Sequence, residues 1–296
     1  MNINKYQPSF EKGAFEWPNY IDSKDHPFGF LPNTNGGSIK WHKGDSVELY
    51  EKNAKKFGNR WKYYKKDITY NLNKSGYRTK EWADIDWKNS AVLLGCSITY
   101  GVGLDDDETL AYYLEQKLDM PVINLGVPSA GNEKILQNLV CIINNFEMPK
   151  MIIINYTAND RITFYGSHEE HYYGPWDVSV QPIYNKKSEV TYTEAYPINI
   201  NNFYKTNFTS PIHTAVKLYH LNQTVQALCK DRTKLVTCSI FSDVTYFTNS
   251  TVDTVGKETF QDSTDVDYIN ETFARDIMHP SSTVMEKISN IIVKGI

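Results

Sequence analysis

The sequence predicts an α/β protein built on a doubly wound parallel sheet with helices on both faces. Four short apolar runs read as buried strands: Ala91-Val92-Leu93-Leu94, Val122-Ile123-Asn124-Leu125, Met151-Ile152-Ile153-Ile154 and Leu235-Val236-Thr237-Cys238-Ser239-Ile240. Amphipathic stretches of helical period lie between them, and this alternation is the pattern of a parallel sheet. The length of 296 residues and the hydrophobic fraction of 41% are enough for one large α/β domain with an added module.

The chain divides at about residue 88. Residues 1–88 are rich in Tyr, Trp, Lys, Asn and Pro, with little helical periodicity after about residue 57. From Tyr63-Tyr64 to Tyr77-Arg78 the sequence alternates loosely around Asn73-Lys74-Ser75-Gly76, which predicts a β-hairpin. This segment reads as a flap packed on the domain that follows, or as an aromatic surface for a carbohydrate or a protein partner. Within it, Gly44-Asp45-Ser46 is predicted to be a loop leading into a helix, with Asp45 or Ser46 as its N-cap, because Trp41-His42-Lys43 makes no buried strand before it.

Residues 89–296 carry the α/β pattern. The first strand runs into Gly95-Cys96-Ser97-Ile98-Thr99-Tyr100-Gly101, a tight turn with a serine followed by a helix. Asp105-Asp106-Asp107-Glu108 opens a helix through Leu118, where acids suit the N-terminus. The second strand ends at Gly126-Val127-Pro128, and a helix follows over 131–146 with Ile135, Leu136, Leu139, Val140 and Ile143 inward. The third strand ends in Tyr156-Thr157-Ala158-Asn159-Asp160. A polar, aromatic insertion over 161–210 leaves from that turn, and its length suits a substrate-shaping cap or a peripheral β-meander. Inside it, His168-Glu169-Glu170-His171 lacks the His-Glu-x-x-His spacing and reads as a solvated loop, with no metal site. A helix over 211–229 turns Ala215, Leu218, Leu221, Val225 and Leu228 inward, and the fourth strand comes next. The closing helix spans 281–293, with Thr283 and Glu286 as a capping box. Just before it stands Asp276-Ile277-Met278-His279-Pro280, and Arg275 reads as a surface or loop anchor.

In open α/β sheets chemistry sits outside the carboxyl ends of the strands. A serine there becomes a nucleophile if a base and oxyanion donors are supplied. Four blocks, in order, meet that need: Gly95-Cys96-Ser97, the strand-end Gly126, Thr157-Ala158-Asn159-Asp160 and Asp276-Ile277-Met278-His279. With these blocks, residues 89–296 resemble the SGNH (GDSL-type) hydrolase superfamily. The resemblance implies a flavodoxin-like sheet and an esterase that works through an acyl-enzyme, without a cofactor. It makes Ser97 the nucleophile, His279 the base and Asp276 the group that orients His279. The oxyanion donors it implies are the N–H groups of Ser97 and Gly126 and the side-chain amide of Asn159.

Imidazole titrates near neutrality and can both take and return a proton, while a carboxylate on its second nitrogen fixes the tautomer. The chain departs from the family pattern at Cys96, where Asp is usual, and at Thr157, where Gly is usual. The turn is also not a Gly-x-Ser-x-Gly elbow, because Thr99 stands at the second glycine position. Three functions fit: hydrolysis of an ester such as an acetylated carbohydrate, O-acyl transfer with the same triad, and a catalytically silent carbohydrate- or partner-binding protein.

A net charge of −4 argues against a nucleic-acid surface. No apolar run reaches the length of a membrane span, and the residues from Met1 to Tyr6 lack the apolar stretch of a secretory signal, which together predict a cytoplasmic protein. Cys96, Cys141, Cys229 and Cys238 lie in apolar contexts without paired spacing and are expected as buried thiols. Sequons such as Asn207-Phe208-Thr209 carry no weight without a secretory signal.

Overall fold

A computed structural model describes residues 36–165, 170–173, 211–241 and 264–296. Its centre is a four-stranded, all-parallel sheet: β3 (Ala91–Gly95), β4 (Val122–Gly126), β5 (Met151–Tyr156) and β8 (Lys234–Ser239). The spatial order is β4-β3-β5-β8. The chain steps one way from β3 to β4, then crosses back to β5, so the order reverses at β3 and β5. That reversal opens a crevice at the carboxyl edge.

The strands are apolar along their length because both faces are covered. Val92, Leu94, Ile152, Ile154 and Tyr156 face one core, which α4 (Asn132–Asn145), α5 (Pro211–Cys229) and α6 (Val266–Thr272) close with Ile135, Leu139, Leu218, Val225 and Ile269. Ala91, Leu93, Met151 and Ile153 face the other, which α3 (Leu110–Leu118) and α7 (Ser282–Lys294) close with Leu110, Leu114, Met285, Ile288 and Ile292. Successive strand residues alternate between the two cores, as the two-residue period requires.

The described part of the N-terminal region belongs to the first of these cores. Trp61, Tyr63, Tyr70, Tyr77, Trp82 and Trp87 are buried in it together with the sheet residues. Trp87 stacks on Phe146 at the end of α4, with ring centroids 4.0 Å apart. Each such ring contributes about 1.5–3 kcal/mol by leaving water. These aromatics are therefore core, not a presented carbohydrate surface.

The predicted hairpin over 63–78 does not form. β2 (Tyr70–Leu72) pairs antiparallel with β1 (Gly37–Ile39), about thirty residues earlier. The turn at Asn73 is real, with Asn73 Oδ1 accepting from the N–H groups of Ser75 and Tyr77. The chain then departs because Arg78 is drawn inward, where its guanidinium donates to the carbonyls of Gly101 (2.7 Å) and Leu104 (3.1 Å) and pairs with Asp106.

Helix boundaries follow capping chemistry. Ser46 caps α1 (Val47–Phe57) by accepting from Leu49 N–H, while its neighbour Asp45 is buried and does something else. The helix predicted from 105 is split: Asp105 and Glu108 form a capping box on a 3₁₀ turn, and Thr109 then caps α3. The cap of α7 is Ser281, which accepts from Val284 N–H, so Thr283 and Glu286 do not form the predicted box. All four cysteines are buried free thiols.

Of the insertion over 161–210, β6 (Ile162–Tyr165) and β7 (Glu170–Tyr173) form an antiparallel pair, so Glu170 and His171 lie in a strand and not in the expected loop; beyond these and Arg161, the rest, with His168 and Glu169, lies outside the described residues. Among the described residues no group of three metal-ligating side chains converges, and no helix is long and apolar enough to cross a membrane.

Candidate active site

Ser97 begins α2 (Ser97–Tyr100), directly beyond the carboxyl end of β3, and is 7% exposed. Glycine at both flanking strand ends lets this short helix sit on the sheet. A Cβ on Gly95 would press into the Thr99 side chain, and one on Gly126 would lie 2.8 Å from the Thr99 carbonyl carbon. Side chains of the neighbouring strands then hold the helix. Asn124 Nδ2 donates to Thr99 O (3.0 Å) from β4, and Asn155 Nδ2 donates to Thr99 Oγ1 (3.2 Å) from β5. Ser97 O accepts from Gly101 N–H (2.9 Å) and Val102 N–H (3.2 Å). Gly101 closes α2 in the left-handed region at φ 82°.

The Gly126 N–H donates to Asn124 Oδ1 at 3.0 Å. It is committed within the fold and is not presented to an incoming oxyanion. Gly126 is instead the position where α2 needs close approach to the sheet. The sequence did not single out the residue three places on. Ser129 has φ 66° in a turn closed by Ala130 N–H to Val127 O (3.2 Å), with Pro128 before it. This is the signature of a type II turn, whose third position normally takes glycine. Holding serine there costs about 1–2 kcal/mol, and strain of this kind concentrates at functional sites. The Pro-Ser pair after a strand-end glycine was the available signal.

Asn159 follows β5 and is 5% exposed. Its turn is closed by backbone, Arg161 N–H to Ala158 O at 3.2 Å. Asn159 Oδ1 is buried with no hydrogen-bond partner among the described residues, so the side chain does not serve as an Asx turn former. Asn155 Oδ1, four residues earlier, is in the same state. Two buried carboxamide oxygens at the end of β5 thus make no hydrogen bond among the described residues. Below them the backbone is anchored: Thr157 N–H donates to Asn132 Oδ1 (2.9 Å), and Asn132 Nδ2 donates to Thr157 O (3.0 Å). Thr157 is fully buried.

Asp276 and His279 meet as a pair. Asp276 Oδ2 contacts His279 Nδ1, and Asp276 Oδ1 accepts from the N–H groups of Met278 and His279, each at 3.1 Å. The carboxylate is buried, whereas the imidazole is 18% exposed. The loop is tight: Ala274 N–H donates to His279 O (2.8 Å), and Ile277 is forced to φ 56°, an outlier for a β-branched residue. Arg275 N–H donates to Gly103 O at 3.0 Å, which ties this loop to the segment just after α2. Arg275 itself is buried, so of the two expected readings, surface or loop anchor, it is the loop anchor.

Two further groups were not legible as site residues. His42, from the N-terminal segment, accepts from Gly44 N–H at Nδ1 (3.0 Å) and packs on the Tyr100 ring at 5.4 Å. Burial first, then the charges of His279 and Arg78, lower its pKa to about 4, so it is neutral near pH 7. Cys96, the residue before Ser97, is buried. Burial pushes its thiol pKa up, but the Arg161 charge and nearby hydrogen bonds outweigh it, and the net direction is down.

No family model matches the chain, and no curated protein does. Among solved structures it is similar to TesA, at 12% identity and TM-score 0.40 over 70% of this chain and 97% of that one. It is similar to a lipolytic protein of G-D-S-L family from Desulfitobacterium hafniense DCB-2, at 9% identity and TM-score 0.40 over 71% of this chain and all of that one. It is also similar to AlinE4, an SGNH-hydrolase family esterase, at 15% identity and TM-score 0.31 over 52% of this chain and 60% of that one. At these scores the reading of the site rests on its own geometry.

Proposed function

We propose that this protein is an SGNH-type serine hydrolase that cleaves an ester through an acyl-enzyme on Ser97. The observation that carries the reading is the Asp276–His279 pair, held by the Arg275–Gly103 hydrogen bond against the segment that continues from the Ser97 helix. In this mechanism Nε2 of His279 takes the Ser97 proton as Oγ bonds to the ester carbon. The imidazolium then returns that proton to the departing alcohol, and water repeats the sequence to release the acid. Asp276 keeps Nδ1 protonated and stabilises the imidazolium. The Ser97 N–H and the Asn159 carboxamide receive the oxyanion, and Ser129 N–H takes the role first expected of Gly126.

The substrate class we favour is a short acyl ester, such as an acetylated carbohydrate. The support is the close cover of the nucleophile, 7% exposed, which favours a small acyl group. The test is turnover of acetyl, butyryl and longer acyl esters, with and without a sugar alcohol. Release of free acid that falls with acyl length supports the proposal. Transfer to the sugar would make the protein an acyltransferase, and no turnover of any ester by the wild type, with Ser97→Ala indistinguishable from it, would overturn the proposal.

A further inference from the structure

The literal Gly-Asp-Ser triplet at residues 44–46 turns out to matter, though not as a nucleophile turn. Asp45 is 0% exposed and Arg275 is 1% exposed, and they form a buried ion pair across 230 residues of sequence. Arg275 Nε donates to Asp45 Oδ1 and Oδ2, each at 3.0 Å, and Nη2 donates to Oδ2 at 2.6 Å. Nη2 also donates to Lys40 O at 2.8 Å, and the guanidinium lies 4.2 Å from the Trp41 ring centroid. Tyr70 Oη donates to Asp45 Oδ2 at 2.5 Å and accepts from Gly103 N–H at 2.8 Å. Gly103 O in turn accepts from Arg275 N–H at 3.0 Å. The contacts close a ring: Asp45, Arg275, Gly103, Tyr70 and back to Asp45.

Two members of that ring adjoin something the proposed reaction needs. Arg275 immediately precedes Asp276. Gly103 ends the segment leaving the Ser97 helix, and its left-handed φ of 78° leaves no room for a side chain, since a Cβ would lie 2.9 Å from that of Ala274. A buried ion pair is a poor source of net stability, because removing two charges from water offsets most of their attraction. What it supplies is a fixed position. Catalysis is sensitive to position, and a misplacement of about 1 Å can cost on the order of 100-fold in rate.

We propose, resting on the serine-hydrolase reading, that Asp45 and Tyr70 are positioning residues for the acid–base loop. Through Arg275 and Gly103 they lock the distance between the Asp276–His279 pair and the Ser97 helix. The segment around residues 40–78 is then a working part of the active site, and the site is incomplete without it.

Two variants test this. Asp45→Asn keeps volume and removes the charge; Tyr70→Phe removes a single hydroxyl and leaves no charge unpaired. In each, kcat on an ester, KM, and amide hydrogen exchange by residue would be measured on the full chain. The expected result is a fall in kcat of about 10- to 100-fold for Asp45→Asn and a smaller one for Tyr70→Phe, with KM within about twofold. Exchange should rise at residues 274–279 and 101–104 and stay unchanged in β3 and β5. If Asp45→Asn does not fold, Tyr70→Phe decides alone. Folded variants with wild-type kcat and unchanged exchange in those loops would overturn the proposal. An inactive wild type would remove the hydrolase reading instead, and the exchange pattern would still decide whether the ring holds the loop.

Discussion

Replacing Asp276 by Asn tests the proposed triad at its most constrained atom. The carboxylate is buried; Oδ1 accepts two backbone N–H groups at 3.1 Å, and Oδ2 meets His279 Nδ1. An asparagine here has two orientations. Turning its NH2 toward Met278 and His279 N–H would set donors against donors and forfeit two hydrogen bonds to the carboxamide oxygen, each worth about 0.5–1.5 kcal/mol. The carboxamide oxygen therefore stays at the Oδ1 position, and the NH2 faces Nδ1. The imidazole must then present a lone pair at Nδ1 and carry its proton on Nε2. In that tautomer it cannot take the Ser97 proton. The wrong tautomer is worth about 10⁴-fold in kcat where it has been isolated, or about 5.5 kcal/mol of barrier. Steady-state kinetics on a chromogenic ester should show that fall with KM nearly unchanged. A kcat within tenfold of wild type would refute the tautomer argument and with it the role given to Asp276.

Three other outcomes follow from the same geometry. Asn159→Ala should raise the chemical barrier by about 2.7–4 kcal/mol with little change in substrate binding, because the charge it meets appears only in the transition state; an unchanged kcat would return Asn159 to a structural role. Gly126→Ala should destabilise the fold by about 1–3 kcal/mol in denaturant melts, because a methyl there meets the backbone of Thr99 and Tyr100 and can only be accommodated by moving α2. His42 has its ordinary pKa near 6.5 in the unfolded chain and about 4 when folded, so as pH falls the unfolded state binds the proton first. Its contribution to stability is therefore intact above about pH 6.5 and declines by up to about 3 kcal/mol on the way to pH 4; His42→Gln should flatten the melting temperature across that window, and an unaltered slope would contradict the burial of a neutral imidazole.

What could be read in the sequence was what local chemistry determines. The four sheet strands were legible because burial on both faces makes them continuously apolar. The helices over 131–146 and 211–229 were legible from their apolar spacing, although Val140, expected inward, is exposed and Cys141 and Ile142 are buried beside it; Asp276 with His279 was legible from their place on one short loop. The missed features depend on partners far along the chain. Nothing near Arg275 announces Asp45, so its burial was not legible, although a role as loop anchor was. The alternation after Tyr63 looked like a hairpin because the turn at Asn73 is genuine, but the partner of Tyr70 is Ile39. The resemblance makes Gly126 an oxyanion donor because it is the strand-end glycine of the second block. Only the fold reveals that its N–H belongs to Asn124 and that the strained turn residue is Ser129, a serine in a glycine conformation.

The central claim is that Ser97 is a nucleophile activated by His279, and covalent capture tests it most directly. The wild-type chain would be treated with a fluorophosphonate, digested and mapped by mass spectrometry, beside Ser97→Ala and His279→Ala. One adduct on Ser97 is predicted, absent from Ser97→Ala and strongly slowed in His279→Ala, with Ser46 unmodified because its hydroxyl caps α1. An adduct on Ser46, equal labelling of Ser97→Ala, or no labelling of the folded wild type would contradict the account.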